Sequence, residues 1–295
     1  TFLNMVNWKQ QIAQRGFYMK RICIVFVVLL LFPYFNMFVW TPSEPDAMSS
    51  QASALSTESS SASASPYYLA AIGADDTAAV LDGYPVKETV IAVIDTGAEL
   101  SHEDLVDSLW INEAERNGTD NVDDDGNGYA DDIYGYNFVT NSGKITWNNP
   151  DDSGHGTHVA GTISAVNNNG IGVCGIAGGS GNNDGVKIMS IQIFAGRYQS
   201  TISRNVDAIY YATSMGASIL QCSWGLMSGA INSDEQYLDE RSIEANAFAH
   251  FINTKRPGSP LNGGIIIFAA GNEAGACGYP AAYPSVVCVT SLSTD

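Results

Sequence analysis

Beyond residue 88 the chain alternates between short β-branched apolar runs and longer stretches whose apolar residues recur at helical spacing. Residues 89–94 form a β-branched run, which predicts a buried strand ending at Asp95. Residues 186–194, 218–222, 264–269 and 286–290 read as further strands. Between them, residues 155–166 carry small and apolar side chains at helical spacing, and Ile202, Val206, Ile209, Tyr210 and Thr213 repeat with helix period. Residues 233–255 read as a helix capped by Ser233, with Gln236 three positions on. Strand and helix in alternation predict a three-layer α/β fold, a mostly parallel sheet with right-handed crossovers and helices on both faces. In such sheets functional groups collect at the carboxyl ends of strands. Asp95, Ser223 and Asn272 each lie just past a predicted strand there.

Two regions break this pattern. Residues 107–149 are polar, acidic and rich in Gly and Asn, which predicts a loop insertion with at most one short strand. The amino-terminal part has its own organisation. The chain opens on Thr1, so Met19 is the expected start and residues 1–18 are expected to be upstream sequence. Lys20-Arg21 and an apolar run over 22–32, closed by Pro33, have the layout of a secretory signal. Apolar residues resume over 34–40, so a membrane anchor across 19–40 is the alternative reading. Either predicts a secreted or extracytoplasmic protein. Residues 41–65 are rich in Ser and Ala without apolar period, as in a flexible linker. Residues 66–295 remain for the folded domain.

Composition narrows the partners. The net charge is −18 with no basic cluster, and an acidic surface repels phosphate backbones, so nucleic acid is excluded as a partner. The five cysteines show no metal-ligand spacing. They are expected to be buried small hydrophobes. A disulfide joining two of the last four is the alternative, and the sequence does not pair them.

The chemistry sits at the strand ends. Asp95 closes an apolar strand in V-I-A-V-I-D-T-G, where a carboxylate needs a cationic or hydrogen-bonding partner. His155 lies in D-S-G-H-G-T-H-V-A-G-T, flanked by glycines that let other backbone approach the imidazole. His158 fits better as a satisfied core residue. Together these segments resemble the aspartate and histidine motifs of the subtilisin-like serine peptidases, in that family's order. The resemblance implies that Asp95 orients the imidazole and that His155 is general base and acid. I-I-I-F-A-A-G-N, residues 265–272, is similar to the family's strand leading to an oxyanion-hole asparagine, which makes Asn272 the amide donor. The resemblance also implies a cis proline at Tyr279-Pro280.

Further roles come with the resemblance. Ser223, Trp224 and Gly225 would offer a backbone edge on which a peptide substrate pairs as an added strand, with residues 195–198 as the opposite edge. The alternative for Trp224 is a core aromatic. Ala269, Ala270 and Gly271 would wall the pocket for the residue before the scissile bond, Gly278 would be its floor and Glu273 would sit at its rim. The expected partners are peptide or protein substrates, and the expected state is a monomer.

The resemblance covers residue 67 to the end and departs from the family at one point. The family's nucleophile lies in G-T-S-M-A-x-P, several tens of residues after the asparagine, whereas 23 residues follow Asn272 here and contain no such motif. Thr213-Ser214-Met215 echoes three letters, but it closes a helix and precedes the asparagine. The chain is therefore expected to be a serine endopeptidase domain that stops before its serine. The alternative is a catalytically dead, calcium-binding module that keeps the cleft for peptides. An inhibitory pro-domain is also missing between the expected signal and the domain.

Calcium is the expected cofactor, at two sites. Residues 121–132 place Asn121, Asp123, Asp125 and Asn127 at alternate positions, with Gly126 sixth and Asp132 twelfth, as in a calcium loop of EF-hand type. The alternative is a solvated acidic turn. A second site follows from the resemblance: Asp104 stands nine residues after Asp95, and Asn168 or Asn169 would add a side-chain oxygen. Backbone carbonyls of Val166, Ile171 and Val173 would complete it.

Overall fold

The computed structural model describes residues 89–291 except Gly258 and Pro260. The upstream sequence, signal or anchor, linker and first part of the domain, residues 1–88, lie outside the described residues. Within them, six strands form one sheet: β1 Val90–Asp95, β2 Gly135–Asn137, β3 Lys187–Gln192, β4 Ile219–Cys222, β5 Ile265–Ala269 and β6 Val287–Val289. The order across the sheet is β2-β3-β1-β4-β5-β6 and every pairing is parallel. The helices are α1 Glu113–Arg116, α2 His155–Ser164, α3 Ile202–Ser214 and α4 Asp234–Asn253, with a 3-10 turn at Val106–Ser108.

Buried on both faces, each strand sends alternate side chains to opposite layers. In β1, Ile91 and Val93 pack with Val159, Ala160 and Ile163 of α2. Ala92 and Ile94 face the other way, into the cluster holding α3 and α4. The fold is a three-layer α/β structure with α2 on one face and α3 and α4 on the other. Phe248 and Phe251 of α4 are fully buried with Phe268 of β5. Each such side chain contributes about 1.5–3 kcal/mol of apolar burial. Helix α4 begins as its sequence predicts: Ser233 Oγ accepts from Gln236 N at 3.1 Å. It is tied to α3 by Glu244, a buried carboxylate that accepts from Asn205 Nδ2 at 2.8 Å, Tyr237 OH at 2.9 Å and Arg241 Nη1 at 3.2 Å.

The insertion between β1 and α2 is more ordered than its polarity suggested. It carries α1 and β2, and Tyr129, Tyr136 and Phe138 dock it by edge contacts. Tyr129 meets Tyr211 of α3 with ring centroids 4.9 Å apart, and Tyr136 meets Phe138 at 5.1 Å. Polar composition described the outer side of this segment, and four aromatic rings decided the inner one.

The cysteines need a correction. Among the described cysteines only Cys222 is buried; Cys174, Cys277 and Cys288 are exposed. Cys23 lies outside the described residues. No helix among the described residues is long and apolar enough to cross a membrane.

Candidate active site

All strands run one way, so their carboxyl ends share one edge of the sheet. Asp95 ends β1, the central strand with β3 on one side and β4 on the other. His155 opens α2, which packs on β1. Their side chains meet: His155 Nδ1 lies 2.6 Å from Asp95 Oδ1, and both residues are buried. A carboxylate oxygen at that distance is satisfied only if Nδ1 carries the proton and donates it, which leaves Nε2 as the ring's proton acceptor.

The glycines and threonines of the two motifs explain why the dyad is held so closely. Asp95 Oδ1 also accepts from Thr96 N at 2.7 Å. Gly156 N donates to Thr96 Oγ1 at 3.0 Å, and Glu99 N donates to Thr157 Oγ1 at 2.9 Å. A Cβ on Gly156 would stand 2.3 Å from the carbonyl oxygen of Gly97, so only glycine lets the first turn of α2 lie against the end of β1. Gly97 itself has φ +91 and no room for a Cβ beside the Thr146 carbonyl, at 2.1 Å.

Burial pushes the His155 ring toward its neutral form, but the Asp95 charge and hydrogen bond outweigh it, and the pKa is raised above 6.5. Protonated His155 therefore favours the folded state. Its contribution is full below pH ~6.5 and fades as pH rises through the raised folded value. His158 is lowered by burial and then by His155, so it acts in the opposite sense, with stability lost as pH falls through its folded value. Urea denaturation should show the wild type losing stability relative to His155→Gln as pH climbs from about 6.5 through the raised folded value. Parallel pH profiles would refute the coupling of His155 to Asp95.

Asp152, three residues before His155, was missed in the sequence reading. It is fully buried and its pKa is raised by burial, against hydrogen bonds from Asn149 and Gly196. Asn149 Nδ2 donates to it at 2.6 Å and Gly196 N donates to the other oxygen. It thereby ties the approach to α2 to the loop after β3. The available signal was its place in D-D-S-G-H.

Asn272 lies three residues past β5 on the same edge and is exposed. Its backbone N–H donates to Glu273 Oε2 at 3.1 Å. The segments read as substrate walls are tied to one another. Gly278 N donates to Ala270 O at 3.2 Å, and Leu226 N donates to Tyr279 O at 2.7 Å. Ala269, Ala270 and Gly271 are half-buried. A Cβ on Gly278 would lie 2.1 Å from Leu226 O, so this glycine is required by backbone packing. The Tyr279–Pro280 peptide is cis.

Two details differ from expectation. Trp224 is buried, edge-on to Phe268 at 4.9 Å, and its Nε1 donates to Ile94 O at 2.8 Å. Its side chain belongs to the core, and only the backbone of residues 223–225 remains to form an edge. Ser223 is also buried, its hydroxyl accepting from Gln221 Nε2 at 3.0 Å. On the other side, Ala195 and Tyr198 hydrogen-bond each other's backbone in both directions, at 3.0 and 3.4 Å. That segment is a self-paired turn and not an open strand edge. Ser214 closes α3, which runs from the carboxyl edge after β3 to the amino edge before β4. It is therefore remote from His155 along the fold.

The acidic insertion gathers a different set from the one its spacing picked. Glu115, Asp125 and Asp132 bring carboxylate oxygens within 4.8 Å of one another. Asn127 Nδ2 reaches Asp125 at 3.2 Å and Asp132 at 3.0 Å. Asp123 is occupied by the loop backbone, accepting from Asn127 N at 3.0 Å and Gly128 N at 2.8 Å. The Gly128 hydrogen bond is the first cause of its lowered pKa. Asn121 donates its backbone N–H to Asp131 at 3.0 Å. Burial raises Asp132, against hydrogen bonds from Tyr211, Asn127 and Asn112. Glu115 was not visible as a candidate because α1 alone, outside the loop, supplies it. At the other expected site Asp104 is buried, and Asn169 Nδ2 meets it at 2.8 Å while Val173 N donates at 2.8 Å. Asn168 turns away and donates to Ser180 O at 3.2 Å.

A parallel α/β domain with a buried Asp–His couple at the carboxyl end of its central strand has the framework of a triad hydrolase. Residues 86–295 match the model of the subtilase family, Peptidase_S8, and the chain belongs to that family. It is 37% identical over 171 residues to subtilisin-like protease 1 of Plasmodium falciparum (isolate 3D7), an alignment covering 57% of this chain and 23% of that protein. Subtilisin DY of Bacillus licheniformis is 28% identical over 235 residues, covering 78% of this chain and 65% of its own. The major intracellular serine protease of Bacillus subtilis (strain 168) is 31% identical over 217 residues, covering 72% and 53%. The chain thus spans about a quarter of the Plasmodium relative's length.

Proposed function

We propose that this chain carries the Asp–His–Asn part of a secreted, calcium-stabilised serine endopeptidase. The observation that carries the reading is the 2.6 Å contact between buried His155 Nδ1 and Asp95 Oδ1. In this mechanism His155 Nε2 takes the proton of a serine hydroxyl supplied from outside residues 1–295, and Asp95 stabilises the imidazolium that forms. The serine oxygen attacks the scissile carbonyl. The Asn272 side-chain amide donates to the oxyanion, and His155 then returns the proton to the leaving amine. The peptide lies along the backbone of residues 223–225, with its P1 side chain between 269–271 and the segment at Gly278. Export rests on the signal-like or anchor-like pattern of residues 19–40.

The donor sets fit calcium. Glu115, Asp125 and Asp132 bring hard carboxylate oxygens together, two of them from buried residues; hydrogen bonds from Asn112, Asn127, Tyr211 and loop N–H groups orient them, and a bound cation would offset their mutual repulsion. At the second site Asp104 supplies carboxylate oxygens, whereas Asn169 turns its amide nitrogen toward them and would have to flip to offer its oxygen. Calcium bound there would neutralise the carboxylates and take no part in the chemistry.

The test is the full-length protein against a fluorophosphonate probe and P1 Phe, Leu, Ala and Asp peptides. One probe per chain and highest kcat/KM for Phe or Leu are expected, since the walls are small and apolar. No labelling would favour a peptide-binding module without catalysis, and a preference for Asp would refute the pocket assignment.

A further inference from the structure

Two thiols stand beside the Asn272 segment. Cys277 Sγ and Cys288 Sγ are 2.8 Å apart. Cys288 lies on β6 opposite Phe268 of β5, and Cys277 precedes Gly278, whose N–H is bound to Ala270 O. The exposed stretch 272–277 therefore leaves β5 beyond Ala269 and returns beside β6 at Cys277. The other described cysteines do not compete. Cys222 is sealed in the core at 1% exposure, and Cys174 sits in the separate loop after α2.

We infer that Cys277 and Cys288 form a disulfide when the chain meets an oxidising thiol–disulfide couple such as glutathione disulfide, and that the bond pins the Asn272 loop to β6. A disulfide bond is about 2.05 Å long, so the sulfurs need to close by under ~1 Å. Both residues are exposed, and Cys277, at the end of the exposed stretch 272–277, is taken as the sulfur that meets the glutathione disulfide first. The Cys277 thiolate attacks one sulfur of glutathione disulfide, forming a mixed disulfide and expelling one glutathione thiolate. Cys288 then loses its proton to solvent as its sulfur attacks the Cys277 sulfur, expelling the second glutathione thiolate. Two protein thiols are oxidised and glutathione disulfide is reduced to two glutathione thiols, which take up through solvent the two protons that Cys277 and Cys288 release.

The purified chain is equilibrated in reduced and oxidised glutathione buffers, quenched with N-ethylmaleimide and mapped by peptide mass. In oxidising buffer the peptides holding Cys277 and Cys288 should be joined, with the loss of both thiol hydrogens and no maleimide. In reducing buffer both should be alkylated. Cys174→Ser should leave the result unchanged, and Cys277→Ser should leave Cys288 open to alkylation. Hydrogen exchange of amides 272–277 should slow by about tenfold on oxidation and recover on reduction. Full alkylation of both residues in oxidising buffer, only mixed glutathione adducts, or a link to Cys174 would overturn the pairing. A cross-link that leaves exchange unchanged would overturn the pinning. The wild-type map decides the pairing even if a variant fails to fold.

Discussion

If the proposed function holds, replacing Asp95 by Asn in the full-length protein should lower kcat by about 10⁴-fold with little change in KM, the size of loss that follows when a triad aspartate is neutralised. Asp95 is buried, so it should not meet substrate and ground-state binding should be spared. Its Oδ1 accepts from both His155 Nδ1 at 2.6 Å and Thr96 N at 2.7 Å. An amide can keep one of those contacts, but it presents no charge to the imidazolium that forms during attack. If the amide turns its NH₂ toward His155, the ring proton moves to Nε2 and the base is lost altogether. A second readout separates this from a folding defect. Asp95 is what outweighs burial in raising His155 above 6.5, so the residual activity should reach its plateau at lower pH than in the wild type. A loss below tenfold, or an unchanged pH limb, would mean that this contact is structural.

Removing divalent cations should be the largest stability perturbation. A ligand that binds the folded loop and hardly the unfolded chain stabilises by about 2.7 kcal/mol at a hundredfold excess over Kd. For a domain of this size about 1 kcal/mol moves Tm by roughly 2–4 °C. Melting of an inactive variant, with the nucleophilic serine changed to alanine, should therefore rise by several degrees from chelator to calcium. Magnesium should help little, because it demands tight octahedral geometry and keeps its water. Asp125→Ala should remove part of the effect. Glu115→Gln should remove a similar part, although Glu115 lies outside the loop that the spacing marked. A Tm indifferent to calcium would leave the cluster as a hydrogen-bonded turn, held by Asn112, Asn127 and Tyr211. If both variants kept the full calcium response, the site would lie at Asp104 instead.

Much of this protein was readable in the chain because strands buried on both faces announce themselves. β1, β3, β4 and β5 are short, apolar and bounded by turn residues, so their existence, parallel order and carboxyl-end chemistry follow from local pattern. The dyad was legible for the same reason: D-T-G and H-G-T-H carry the glycines and threonines that the close approach of β1 and α2 demands. Side-chain destinations set by long-range packing were not legible. Trp224 reads as either edge or core until Phe268 and the Ile94 carbonyl are placed beside it. Asn168 and Asn169 are equivalent in sequence, and only the backbone turn at Asn168, with φ +60, decides which one faces Asp104. Glu115 joins Asp125 and Asp132 because its carboxylate accepts the backbone N–H groups of Asp124, Asp125 and Asp131. Cys277 and Cys288 meet because β6 pairs with β5. Periodicity records which face of an element a residue occupies. Which residue of a distant segment lies opposite is settled by tertiary packing, and that packing chose the partners of the acidic cluster and of the thiols.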